Sequence, residues 1–194
     1  MAVLWLIGVV AGGVLLVRYQ RTAGSVGRTP TGWPDSTSIT RDLSRPTLLM
    51  FVHPHCPCTR ASINELNRLL ARCTLPVATH VLFLRPRDTS ESWLHTDTWR
   101  SAGSIPGVQV QEDRLGEQAR LFGGGTSGYV IFYDRNGRLL FQGGITAGRG
   151  HAGDNDGAEA VVALVNGSRT RAASTPVYGC SLFNACDQQM LCEK

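Results

Sequence analysis

The sequence predicts an α/β domain, a central mixed sheet flanked by helices, carried on an N-terminal transmembrane helix. Three observations lead there. An apolar stretch without a charge runs from Ala2 to Val17. From Thr47 onward, strand-like apolar runs alternate with segments of helical period, the mark of an α/β chain. Late in the domain, Asp134-Arg-Asn-Gly137 separates two short strands, and Asn-Gly at a two-strand junction specifies a hairpin. A length of 194 residues suits one domain with appendages. The formal charge of +4 is modest, and the arginines are scattered without interleaved aromatics, which argues against a nucleic-acid partner.

The elements follow in order. At 1.5 Å per residue the apolar helix spans about 24 Å against a hydrocarbon core of about 30 Å, and Arg18 and Tyr19 reach the interface. No basic residues precede the stretch and no small-residue cleavage site follows it, so residues 1–21 read as an uncleaved anchor rather than a signal peptide. Arg18 and Arg21 lie after the segment, so the positive-inside rule taken alone puts the domain in the cytoplasm. Residues 22–45 are rich in Gly, Ser, Thr and Pro and read as a flexible linker.

The domain is expected over residues 46–166. Thr47 to His53 is a buried strand. Pro57 to Arg72 is a helix whose apolar stripe includes Leu66, Leu69, Leu70 and Cys73, which makes Cys73 a small core residue. Val77 to Leu84 is a second strand, Glu91 to Ala102 is helical, and Val108 to Gln111 is a short strand. Leu115 to Phe122 forms a short helix ended by the glycines at 123 to 125. The hairpin joins Tyr129 to Tyr133 with Arg138 to Gln142. A glycine-rich loop from Gly143 to Gly157 leads into a helix from Ala158 to Val165. Residues 167–194 read as an irregular tail holding Cys180, Cys186 and Cys192.

The chemistry concentrates in Phe51-Val-His-Pro-His-Cys-Pro-Cys-Thr-Arg60. Proline favours the first helical position, so Pro57 places Cys56 at the N-cap, where first-turn N–H groups and the helix dipole favour a thiolate. Arg60, and His53 or His55 when protonated, would add to that effect. Cys56 is therefore the expected nucleophile and Cys58 the resolving thiol. Two residues apart, they close only a tight ring, which suits an exchange-prone couple. His53 and His55 either tune the thiols or simply pack. The same two cysteines, completed by a histidine such as His151 or by Cys180, would alternatively suit Cu(I) or zinc. No resident cofactor is expected. Six cysteines give neither a zinc-finger spacing nor an evenly stapled scaffold.

The succession strand, helix, strand, helix, strand, helix, hairpin, helix resembles that of thioredoxin-like proteins. Val110-Gln-Glu-Asp-Arg-Leu-Gly-Glu-Gln-Ala-Arg-Leu-Phe-Gly123, with the hairpin after it, resembles their extracytoplasmic, membrane-tethered members. The run at Phe51 to Ser62, Gly143-Gly-Ile-Thr146, Arg149-Gly-His-Ala-Gly-Asp-Asn155 and Pro176-Val-Tyr-Gly-Cys180 are together similar to a bacterial family labelled RedB-like. That resemblance implies a single-pass protein of the bacterial inner membrane with a periplasmic thioredoxin-like domain and a protein thiol or disulfide partner. Against the thioredoxin pattern, Cys56 falls on the first cysteine and Thr59 on the second. The Cys-x-x-Thr spacing also echoes thiol peroxidases, in which a lone thiolate attacks peroxide. Gly128 falls where the family carries its cis-proline, either opening space beside the thiol or serving as a permissive loop residue. His151, in the glycine-rich loop, is brought near the active-site end of the sheet by that topology, and Cys180 is the tail cysteine that belongs to a family-like motif.

Overall fold

A computed structural model describes residues 1–170 and 172–183. Cys186 and Cys192 lie outside the described residues. Helix α1 (Ala2–Gln20) is exposed along its length and is long and apolar enough to cross a membrane.

The sheet contains β1 (Thr47–Val52), β2 (Ala78–Arg85), β3 (Val108–Arg114), β4 (Tyr129–Tyr133) and β5 (Leu139–Gly144) in the order β3-β2-β1-β4-β5. β1 is central, parallel to β2 and antiparallel to β4, with Phe51 opposite Tyr129. β3 is parallel to β2, and β5 returns antiparallel to β4. The Asp134 carboxylate accepts from the N–H groups of Asn136 and Arg138 at the hairpin turn (2.9 and 2.8 Å). This is a thioredoxin-like fold. Every residue of β1 is buried because both faces of the sheet are covered, which is why its sequence is a continuous rather than alternating apolar run.

On one face, α2 (Pro57–Ala71) and α5 (Asp156–Val165) pack Ile63, Leu66, Leu69, Val161 and Val165 against Leu48, Met50, Val81 and Phe132. Cys73 packs against this cluster and its thiol donates to the Leu69 carbonyl at 3.3 Å. The helical expectation over Glu91 to Ala102 resolves into a 3-10 turn, Glu91–Trp93, and a separate α3 (Asp97–Gly103). Thr96 divides them by taking the N-cap of α3, its hydroxyl accepting from Trp99 N at 3.3 Å.

Among the described residues, the opposite face has only α4 (Glu117–Leu121) as a helix, too short to cover it. Leu49, Phe51, Leu82, Ile131 and Tyr133 are instead covered by α4, by the segment after α1 and by the C-terminal segment. Residues 22–45, which composition reads as a flexible linker, are laid along the domain. Tyr133 Oη donates to the Pro30 carbonyl (2.8 Å), Trp33 packs edge-on against Phe122 and Tyr133, and Ile39 is buried. Likewise the expected irregular tail contributes Val177, Leu182 and Phe183 to the core, at 2%, 5% and 6% exposure. Burial on the order of 1.5–3 kcal/mol for each such side chain is enough to hold a strand-poor segment in place.

Candidate functional site: three cysteines at the end of the central strand

β1 ends at Val52, and the turn His53-Pro-His55 delivers Cys56 to the N-cap of α2 with Pro57 at the first helical position. The turn is closed by Cys56 N–H donating to the His53 carbonyl (3.2 Å) and Thr59 N–H to the Cys56 carbonyl (3.0 Å). Thr59, buried three residues after Cys56, donates its hydroxyl to the His53 carbonyl and meets Ser127 Oγ, both at 2.9 Å. Ser127 Oγ in turn accepts from His53 N–H at 2.9 Å. Thr59 therefore serves to lock the turn.

Cys56 and Cys58 are buried, 4% and 8% exposed. The structure brings a third thiol to them: Cys180 Sγ lies in hydrogen-bonding contact with Cys56 Sγ at 2.8 Å. Burial alone would raise the Cys56 pKa. The hydrogen bond with the Cys180 thiol and the nearby backbone N–H groups of Cys180, Cys58 and Thr59 outweigh it, so Cys56 lies below the ordinary cysteine range. The N-cap thus acts through N–H groups directed at the sulfur, although no cap hydrogen bond to the side chain closes. Cys58 is shifted the other way by burial and by the charge and hydrogen bond of Cys56, with Arg149 and the Gly150 N–H opposing. Cys180 is pushed up to about 12, first by burial and then by its hydrogen bond to Cys56 and the charges of Cys56 and Cys58, with Arg149 again opposing. Cys56 is thus the most readily ionised of the three thiols, and the other two are shifted toward keeping their protons.

The cation of the site is Arg149, not the expected Arg60. Arg60 extends into solvent and pairs with Asp97, both side chains more than half exposed. Arg149 donates to the Gly179 carbonyl and acts electrostatically on both Cys58 and Cys180. Nor does His53 supply a charge: burial and then the neighbouring His55 lower its pKa, which favours the neutral ring. His53 and His55 pack on Trp93, with ring centroids at 5.4 and 4.5 Å, and His55 Nε2 meets the Trp93 carbonyl at 3.0 Å. His151 is exposed, and its ring bonds the Arg149 carbonyl (2.9 Å) rather than a sulfur.

Gly128 has φ +89° and donates its N–H to the Phe51 carbonyl at 2.8 Å. A Cβ there would come within 2.7 Å of Ser62 Oγ, so the position admits neither proline nor an ordinary side chain. Arg149 stands inside a family-like motif, but nothing in its spacing, or in that of Ser127, marks either as a neighbour of the thiols. Among the described residues, no group of three or more His, Cys, Asp or Glu is placed to hold a metal ion.

The chain thus has a thioredoxin-like fold with a Cys-Pro-Cys site at the end of its central strand. The chain is similar in structure to several solved proteins. A hypothetical protein from Sinorhizobium meliloti 1021 superposes with a TM-score of 0.62 at 16% identity, covering 84% of this chain and 100% of that one. An uncharacterized conserved protein from Geobacillus kaustophilus gives 0.62 at 18% identity, covering 84% and 97%. A secreted Mycobacterium tuberculosis disulfide oxidoreductase homologous to E. coli DsbE gives 0.45 at 16% identity, covering 76% and 97%. No protein-family model and no curated protein matches the chain.

Proposed function

We propose that this chain is a membrane-anchored thioredoxin-like thiol-disulfide oxidoreductase of the RedB-like group that its motifs resemble. The observation that supports this reading is the Cys56 thiol: buried, seated at the N-cap of α2, pulled toward the thiolate, and in contact with a second thiol. The thiolate attacks one sulfur of a partner's disulfide, forming a Cys56 mixed disulfide and releasing the other sulfur as a thiolate. A second cysteine of this chain, Cys58 in the sequence reading, then loses its proton and attacks Cys56 Sγ. The substrate's remaining sulfur leaves, and an internal disulfide stays behind. Two electrons pass to the substrate, and a partner dithiol returns them.

The helix α1 holds the domain at the inner membrane. A periplasmic location follows from the family resemblance and suits disulfide chemistry, whereas Arg18 and Arg21 favour the opposite orientation. The test is a glutathione redox titration of the full chain in detergent, with Cys56 alkylation read by mass. Cys56 is expected to pass from free to disulfide-bonded across the titration; a Cys56 that stays free throughout overturns the reading.

A further inference from the structure

We propose that Cys180 is the resolving thiol of this site, so that the oxidised protein carries a Cys56–Cys180 disulfide while Cys58 stays reduced. This rests on the oxidoreductase reading above and assigns the second step of its reaction to a residue 124 positions along the chain.

The geometry that supports it is the way residues 176–183 are held. The Cys180 carbonyl accepts from Ser127 N–H (2.8 Å), and Leu182 N–H donates to the Gly125 carbonyl (2.9 Å). Thr126 and Ser181 form an antiparallel bridge. Arg149 donates to the Gly179 carbonyl, and the Val177 carbonyl accepts from Gly24 N–H at 2.8 Å. Val177 on one side of Cys180, and Leu182 and Phe183 on the other, are buried in the core. At Gly179 a Cβ would stand 2.0 Å from the Ser127 carbonyl oxygen, so close backbone approach requires glycine there. The segment is thereby fixed on both flanks of Cys180, with its sulfur 2.8 Å from Cys56 Sγ. A disulfide bond of about 2.05 Å needs under about 1 Å of further approach. Closure between Cys56 and Cys58, by contrast, needs a tight ring inside the first turn of α2.

The electrostatics give the steps an order. While Cys56 is a thiolate, its hydrogen bond and charge help keep the proton on Cys180. Once Cys56 is neutral in a mixed disulfide, both of these influences vanish; burial still opposes ionisation, and Arg149 remains to favour the Cys180 thiolate. Cys180 then loses its proton to solvent or to the departing substrate thiolate and attacks Cys56 Sγ. The Cys56–substrate S–S bond breaks, the Cys56–Cys180 bond forms, and the substrate leaves as a thiolate.

The test uses the full chain in detergent, equilibrated with oxidised and reduced glutathione and mapped by peptide mass after alkylation. The expected result is a Cys56–Cys180 link as the main disulfide. In Cys180→Ser, Cys56 should instead accumulate as a glutathione mixed disulfide at least tenfold above the parent level. Gly179→Ala, which retains every thiol but pushes the segment off Ser127, should raise that mixed disulfide in the same direction. In Cys58→Ser the Cys56–Cys180 link should persist. A dominant Cys56–Cys58 link, a Cys180 link to Cys186 or Cys192, or a Cys180→Ser protein with unchanged mixed disulfide overturns the assignment and leaves the oxidoreductase reading standing. Absence of any disulfide at Cys56 removes both.

Discussion

The site shifts the acidities of three thiols in different directions by placement alone. Cys56 sits where backbone N–H groups and the Cys180 thiol face its sulfur, and its pKa falls. Cys58, two residues further on and the second residue of α2, has burial and the Cys56 charge against it, and its pKa rises. Alkylation of the full chain by a neutral reagent should therefore show Cys56 reacting at lower pH than Cys58 and Cys180, with Cys180 reacting last. Arg149 is the charge that moderates this spread. Arg149→Gln removes a cation that favours the thiolates of Cys58 and Cys180, so both should alkylate several-fold more slowly at pH 8. Arg60→Gln, at an exposed ion pair with Asp97, should leave the thiol profile unchanged. A second titrating residue lies away from the site. Asp113 is 2% exposed, accepts from Gln118 and Ala119 N–H at the start of α4, and is pushed up to about 6, chiefly by burial. A folded-state pKa above the unfolded value means that protonation favours the fold. Its contribution is therefore full below about pH 4 and is lost as pH rises through about 6, by roughly 2–3 kcal/mol. Denaturant unfolding from pH 4 to pH 7 should show this decline, and Asp113→Asn should flatten it.

Among the elements, β1 and α2 were the most legible in the sequence. A fully buried strand reads as an unbroken apolar run, and Pro57 marks the first helical position, so the strand-to-helix junction and the Cys56 N-cap follow from local patterns. The hairpin was equally readable, because Asp134-Arg-Asn-Gly137 carries its turn chemistry in four consecutive residues. The cover of the second sheet face was not. Segments 22–45 and 174–183 have neither period nor length enough to signal burial, and they are ordered by contacts to residues distant in sequence, such as Tyr133 to Pro30 and Ser127 to Cys180. For the same reason the meeting of Cys56 with Cys180 and Arg149 left no trace in residue spacing. Gly128 is an intermediate case. Its register position opposite the family's cis-proline was countable from the hairpin, but the bond from its N–H to the Phe51 carbonyl required the fold. That bond and the positive φ give the expected outcome of placing a proline there: Gly128→Pro should lower stability by about 3 kcal/mol or more in denaturant unfolding, not improve the site.

At the scale of the whole molecule, the end of α1 and the thiol site meet. Gln20 accepts from Arg149 N–H at 3.1 Å, and the Arg149 guanidinium lies 5.1 Å from the centre of the Tyr19 ring. The same arginine bonds the Gly179 carbonyl beside Cys180. If α1 crosses the bilayer, its interfacial residues Arg18 and Tyr19 therefore hold the loop 148–151, and with it Cys56, Cys58 and Cys180, close to the lipid headgroups. Cys73 serves as an internal reference. It lies just beyond the far end of α2, and the axial rise from Cys56 is about 25 Å. With the full chain in phospholipid vesicles, a pyridyl disulfide attached to a lipid headgroup should favour the Cys56 cluster over Cys73 about tenfold more than a soluble pyridyl disulfide does. Dividing by the soluble-reagent ratio removes the intrinsic reactivity of the Cys56 thiolate and leaves proximity as the remaining variable. Equal ratios for the two reagents would mean that the thiols face away from the bilayer, and the contact of Arg149 with Tyr19 would then have no bearing on which partners reach Cys56.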